Sequence, residues 1–184
     1  MSVIRGLATR LKAKLKLGRK ACRLTLVCWV VIACFGWSIN QAQAGCSGLG
    51  CSCSVSTTGV AFGNYNPLTS AAVNSTGSVT VTCSALVIFT ASYLITLTTG
   101  NSSSYASRFM LSAAGNQLKY NLYNTPARTQ VLGDGTAGTA TITGAYTAVG
   151  LTATYNYPVY GSLPALQTVS PGAYADIVTV NVVY

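Results

Sequence analysis

From residue 55 onward the sequence alternates between apolar and polar side chains with a period of two. Val79 and Val81, for example, alternate with Thr80 and Thr82. Successive side chains of a strand point to opposite faces of a sheet, whereas a helix needs apolar residues three or four positions apart. This part of the chain is therefore predicted to be all-β. The predicted strands are residues 54–62, 78–83, 93–99, 108–112, 117–123, 140–146, 151–160 and 174–184.

The breaks between these segments have the residues that turns require. Gly, Asn, Asp and Pro supply positive φ, fixed φ or side-chain bonds to the backbone where a strand reverses. The predicted turns are residues 64–67, 100–103, 114–116, 133–135 and 170–172. About eight short strands with such turns predict one β-sandwich with Greek-key connections.

The last predicted strand shows the clearest alternation. Thr179 and Asn181 face one way, and between them runs an apolar row that ends the sequence. The row consists of Val178, Val180, Val182 and Tyr184. Because no later strand follows, the outer edge of this strand is predicted to be a strand-pairing edge that needs a partner.

The N-terminal segment has the three parts of a secretory signal. Eight of the eleven basic residues come before an apolar run at residues 24–37, which is shorter than the roughly 20 residues that span a bilayer. Small residues at Ala42 and Ala44 then predict cleavage between Ala44 and Gly45. Residues 1–44 are therefore predicted to be a cleavable signal peptide. A retained anchor, acylation at Cys34 and an amphipathic surface helix at residues 3–20 are the alternatives.

Cleavage there changes the charge of the protein. The charged residues that remain are Arg108, Lys119, Arg128, Asp134 and Asp176. A formal charge of +9 thus falls to a near-neutral balance, which argues against nucleic-acid binding and against stable membrane insertion after cleavage. The predicted organisation is a short Gly/Cys extension at residues 45–52 and a single domain at residues 53–184.

Four cysteines remain after the predicted cut: Cys46, Cys51, Cys53 and Cys83. An even number in an exported chain predicts disulfides, and four cysteines allow three pairings that the residues alone do not rank. Zinc ligation is disfavoured, because the chain has no histidine and Cys51 and Cys53 have only one residue between them. No metal or other cofactor is expected.

The groups that catalysis needs are nearly missing. The chain has no histidine or glutamate, and its two aspartates have no predicted partner carboxylate. Asp134 is expected to bond the backbone of its own turn, and Asp176 to pair with Arg108 or Arg128. Residues 133–139 lack the lysine of a phosphate-binding loop. The protein is therefore predicted not to be an enzyme.

Several short motifs, taken in order, are distributed along nearly all of the chain after residue 52. They are residues 53–56 (CSVS), 60–67 (VAFGNYNP), 80–83 (TVTC), 118–123 (LKYNLY), 133–136 (GDGT), 159–165 (VYGSLPA) and 172–176 (GAYAD). Together they resemble the spore coat protein U domain family.

The resemblance implies an immunoglobulin-like β-sandwich that is incomplete, with its missing final strand supplied in trans. It implies a pilin of archaic chaperone-usher pili, exported through the periplasm to a cell-surface fimbrium or the extracellular space. The implied partners are a periplasmic chaperone, an outer-membrane usher and neighbouring pilin subunits. It also implies a Cys53–Cys83 disulfide, which leaves Cys46 to pair with Cys51. A donor strand carries alternating bulky apolar residues, and residues 45–52 contain only Leu49 of that kind.

The preferred hypothesis is a structural subunit of a secreted surface fibre or coat, assembled by donor-strand complementation. An autonomous secreted adhesin or lectin-like binding module is the main alternative, and a secreted hydrolase is a more distant one.

Overall fold

The computed structural model describes residues 4–6, 10–15, 45–148 and 151–183, and its regular structure is almost entirely β. One 3-10 helix, Tyr105–Ser107, is the exception among these residues. The strands are β1 (Ile4–Gly6), β2 (Arg10–Leu15), β3 (Gly45–Ser47), β4 (Ser52–Thr58), β5 (Gly63–Tyr65), β6 (Val73–Ser84), β7 (Phe89–Leu97), β8 (Phe109–Ser112), β9 (Gln117–Lys119), β10 (Asn121–Tyr123), β11 (Ile142–Ala148), β12 (Thr152–Leu163), β13 (Tyr174–Ala175) and β14 (Ile177–Val183).

The strands form open sheets that pack as a sandwich. One sheet has the order β10-β12-β6-β4, and the sheet facing it has the order β11-β7-β14-β2, with β3 also paired to β7. A smaller sheet, β5-β1-β13-β8-β9, completes the fold. Consecutive strands lie in opposite large sheets at four places, from β3 to β4, from β6 to β7, from β10 to β11 and from β11 to β12. The prediction of an all-β, immunoglobulin-like sandwich is confirmed.

The two large sheets enclose one continuous core. Val79 and Val81 of β6 and Tyr93 and Ile95 of β7 are all buried, as the period-two pattern predicts. The hydroxyl groups of Tyr93 and Tyr157 lie 2.7 Å apart and join β7 to β12 across the sandwich. Burial and this hydroxyl pairing raise the pKa of Tyr93 above its usual value.

All eight predicted segments contain strand, but several ends differ, and the predictions for residues 117–123 and 174–184 as single strands are wrong. Each is divided into two strands that lie in different sheets, β9 and β10 in the first case and β13 and β14 in the second. Strand β6 begins at Val73 rather than at residue 78, because β12 pairs with it over its full length, from Ser84↔Thr152 to Val73↔Leu163. Strand β4 ends at Thr58, whose carbonyl lies too close to Gly77 for that position to accept a side chain. The short strands β3 and β5 were not predicted, since three residues are too few to show a period.

Two disulfides lie near the N-terminal end of the domain. Cys53 of β4 is directly opposite Cys83 of β6 and is bonded to it, and Cys46 is bonded to Cys51. These are the pairs that the family resemblance implies. The first link crosses 30 positions of sequence and the second only five, so the first constrains the unfolded chain more.

Replacing Cys53 and Cys83 together by alanine should lower the free energy of unfolding by about 3 to 4 kcal/mol, through lost loop-closure entropy. The matched double replacement of Cys46 and Cys51 removes a link that closes a much smaller loop, and it should cost about 2 kcal/mol. Denaturant unfolding of the oxidised full-length chain measures both. Peptide mapping without reduction should recover the Cys53–Cys83 link, and recovery of a Cys51–Cys83 link would contradict the assignment.

Candidate strand-acceptor site

Strand β14 presents an apolar row to the core. Val178, Val180 and Val182 are fully buried, while the alternating residues Ile177 and Val183 are 47% and 41% exposed. The predicted row is thus buried as expected over these three valines. Its fourth member, Tyr184, lies outside the described residues, as does Ala44 of the predicted cleavage site.

On its inner side β14 pairs antiparallel with β7, from Val180↔Leu97 to Val183↔Leu94. Just before this register, the Thr98 N–H donates to the Thr179 carbonyl (3.0 Å), and the Thr179 N–H donates to Thr98 Oγ1 (2.9 Å). Backbone polar groups alternate in direction along a strand. The N–H and C=O groups of the three buried valines therefore point away from β7, toward the opposite side of β14.

On that opposite side lies β2, which pairs with β14 in parallel. The register has six residue pairs, from Ile177↔Arg10 to Val182↔Leu15. Strand β2 also contacts β4, the edge strand of the facing sheet. We call the space that β2 fills, between the edges of β14 and β4, the strand-acceptor site.

The sequence-based expectation that nothing in the chain covers β14 is therefore wrong for the full-length chain, in which residues 10–15 cover it. The amphipathic-helix alternative for residues 3–20 is also wrong where the structure describes them, because residues 4–6 and 10–15 are strands. Leu11, Ala13 and Leu15 alternate with basic residues. This period of two is typical of a strand, and the basic residues are also typical of the start of a signal peptide. Both strands belong to the predicted signal peptide, so cleavage at Gly45 would remove them.

The start of β14 is fixed by a buried carboxylate. Asp176 is 1% exposed and accepts hydrogen bonds from the Tyr120 hydroxyl (2.6 Å) and from the backbone N–H groups of Asn101 (2.8 Å) and Ile177 (2.7 Å). Gly100 has φ +73°, and a side chain there would collide with this carboxylate. The Asp176 carboxylate can lie against this turn only because residue 100 is glycine. The hydrogen bond from Asn101 then attaches the start of β14 to the turn.

Arg108 lies in the same buried region but does not supply these hydrogen bonds. Its guanidinium donates to Asn121 Oδ1 (2.9 Å) and to the carbonyls of Thr98 (3.0 Å) and Leu132 (2.8 Å). Burial lowers the pKa of Arg108, and nearby groups that include Asp176 oppose this effect. Arg108 and Asp176 therefore attract each other electrostatically without a direct hydrogen bond. The hydrogen bonds to the carboxylate come from a hydroxyl group and two backbone N–H groups, which are neutral.

Asn121 was not recognised as part of this region. The alternation of Leu118, Tyr120 and Leu122 places it on the outward face, yet it is only 8% exposed. Its amide Nδ2–H donates to the Tyr105 carbonyl (2.9 Å), and its Oδ1 accepts from Arg108. Because the alternation predicts a polar, outward residue at this position, the sequence has no separate signal for its burial.

Asp134 has the turn role that the sequence predicts. Its carboxylate accepts hydrogen bonds from the Thr136 hydroxyl (2.6 Å) and backbone N–H (2.9 Å), which lower its pKa. Within the described ranges, no three Cys, Asp, Glu or His side chains come together as metal ligands. The same part of the chain has no helix with the length and apolar character to cross a bilayer.

Comparisons with known proteins point to one family. The model of the spore coat protein U domain matches residues 42–181, which is most of the chain. No curated protein matches the sequence significantly. Among solved structures, the fold is similar to a chain in the crystal structure of the CsuC-CsuE chaperone–tip adhesion subunit pre-assembly complex from archaic chaperone-usher Csu pili of Acinetobacter baumannii. That match has 22% identity and a TM-score of 0.45, and it covers 73% of this chain but only 40% of the other.

Removing the Tyr120 hydroxyl should destabilise the site, because hydrogen bonds to charged groups contribute more than neutral ones. Tyr120→Phe should lower the free energy of unfolding by about 1.5 to 3 kcal/mol. Tyr174→Phe is the matched control, since this buried hydroxyl donates to the neutral Ser170 carbonyl (2.7 Å). It should cost about 0.5 to 1.5 kcal/mol. Denaturant unfolding of the full-length chain measures both, and equal losses would argue against the anchoring role of Asp176.

Proposed function

The chain belongs to the spore coat protein U domain family, and from that premise we propose that it is a structural subunit of a secreted surface fibre, an archaic chaperone-usher pilus, or of a coat. Assembly proceeds by donor-strand complementation at the strand-acceptor site. The observation that carries this proposal is the pairing of β2 with β14. A strand that is predicted to be lost on export occupies the place where a partner's strand would add to the sheet.

The chemistry of the site supports a strand as its ligand. The outward N–H and C=O groups of the three valines offer backbone hydrogen bonds, and the valine side chains form part of the core beneath them. A periplasmic chaperone supplies the strand first, and a neighbouring pilin subunit replaces it at the outer-membrane usher. This order takes the protein through the periplasm to a cell-surface fimbrium or to the extracellular space.

The family is a structural one, and we further propose that this member has no catalytic activity. Its two aspartates serve a turn and the anchor of β14, where their carboxylates accept hydrogen bonds from Thr136 and Tyr120. We also propose the organisation expected from the sequence, with a signal peptide at residues 1–44, an extension at residues 45–52 and the domain at residues 53–184.

One observation favours the alternative of an adhesive binding module. Several large apolar residues are exposed at one end of the sandwich, where the Leu86 N–H donates to the Leu49 carbonyl and the Ala85 N–H to the Leu151 carbonyl. These residues are Leu49, Leu86, Val87, Ile88 and Leu151. An apolar cluster suits contact with an apolar surface better than it suits a sugar. It lies on different residues from the strand-acceptor site, so an adhesive role and a fibre role are compatible.

The mature chain expressed alone in a periplasm should be degraded or aggregated, and co-expression of its chaperone should rescue it. Each large side chain left uncovered loses about 1.5 to 3 kcal/mol of burial, against a typical net stability of about 5 to 15 kcal/mol. Val180→Asp or Val182→Asp should abolish the rescue without affecting export, because a charge would enter the buried row. Immunoblots of periplasmic extracts and co-elution with the chaperone measure this.

Thr179→Asp is the control, because its side chain alternates with the buried row. It should leave the rescue largely intact. A soluble, monomeric mature protein that melts cooperatively without any partner would contradict the fibre-subunit proposal and favour the autonomous module.

A further inference from the structure

We propose that this subunit accepts a strand but does not donate one, so that it occupies one end of its fibre and contacts a single donor subunit. The inference rests on the proposed function and on cleavage before Gly45. It comes from the residues that would have to act as the donor, 45–52, which are held on their own domain. Two features hold them there, and a third, their composition, makes them a poor donor.

First, the start of the extension is already used as a strand in cis. Strand β3 pairs antiparallel with β7, from Gly45↔Ser92 to Ser47↔Thr90, and the Gly45 N–H donates to Ser92 Oγ (3.2 Å). Along β7 this register begins at Ser92, two residues beyond the last pair of β14, Val183↔Leu94. The extension therefore continues the β14 side of the sheet, and leaving it would expose the edge of β7 at residues 90–92.

Second, the Cys46–Cys51 disulfide prevents residues 46–51 from extending as one continuous strand. Its two Cα atoms are 5.8 Å apart, whereas five steps of extended chain span about 17 Å. The Cys51 N–H donates to the Gly48 carbonyl (3.2 Å), and Gly50 has φ +68°, so the linked residues form a tight loop. The bond from Cys53 to Cys83 then fixes the chain immediately after this loop.

Third, the extension lacks the side chains that the site would accept. Strand β2 shows the length required, because it pairs with β14 over six consecutive residues with alternating apolar side chains in its sequence. In residues 45–52 only Leu49 is large and apolar, and it lies between two glycines and is 67% exposed in the disulfide loop. Reduction of the disulfide alone would not make this segment a donor.

A subunit with an acceptor site and no donor joins the fibre through one contact. Head-to-tail assembly continues only where each subunit offers both halves of the interface. This chain therefore ends the series, and its own N-terminal segment stays paired with β7 in the assembled fibre. The free end of the fibre is then formed by this domain, including the exposed apolar residues at one end of the sandwich. Among the residues that the structure describes, it has no second strand-acceptor site.

Immunogold labelling of fibres tests this directly. A peptide tag inserted between Ala114 and Gly115, in an exposed turn, marks the chain in cells that make the complete fibre. Intact-mass analysis first verifies an N-terminus at Gly45. We expect one label at one end of each fibre, and mean fibre length should fall in proportion as expression of this chain is raised. Labels at internal positions along the shaft would overturn the inference while leaving the proposed function intact.

The Cys46→Ser/Cys51→Ser variant separates the disulfide from the sequence of the extension. It should still label fibre ends alone, because freeing the loop adds no apolar side chain. Internal labels with this variant would show that residues 45–52 can donate, and would overturn the third argument. If the tagged chain neither co-purifies with a chaperone nor labels any fibre, the proposed function itself fails, and this inference fails with it.

Discussion

The fold depends on how the outer edge of β14 is satisfied. Its three buried valines direct their N–H and C=O groups away from β7, and such groups need partners wherever water is excluded. In the full-length chain β2 supplies them, in six parallel residue pairs. Because β2 lies in the predicted signal peptide, export would convert a completed sheet into one that requires another molecule. Under the proposed function, this would couple folding and assembly at β14.

The rest of the domain holds that edge in position. Asp176 fixes the start of β14 through Tyr120 and the turn at Gly100, and the Cys53–Cys83 link fixes β4 on the other side of the strand-acceptor site. The two strands that border the site are thus each attached to the core by a specific interaction. Under the proposed function, a partner strand would meet a site whose borders are already in place, which would lower the ordering cost of binding.

The alternating pattern predicted the class, the position of each strand-forming segment and the buried valine row, because one buried face imposes a period of two. It did not show that residues 117–123 and 174–184 are each divided between two sheets. It did not predict the burial of Arg108 and Asn121, since a polar residue in a strand normally indicates the solvent face. Their burial depends on hydrogen-bond partners from distant segments. It also did not predict β2, because the basic residues of this segment were already explained as part of a signal peptide. The disulfide pairs followed from family resemblance, not from spacing. The pairing of β3 with β7 of the same chain could not be predicted, because it depends on where the fold places β7.

Hydrogen exchange along β14 tests the central claim most directly. In the mature chain just released from its chaperone, the amides of Val178, Val180 and Val182 should exchange rapidly. Those of Asn181 and Val183, which face β7, should be protected and serve as an internal control. Binding of a partner strand should then protect the three valine amides. Equal protection of both sets in the mature chain without a partner would show that β14 has no open edge, and would contradict the account.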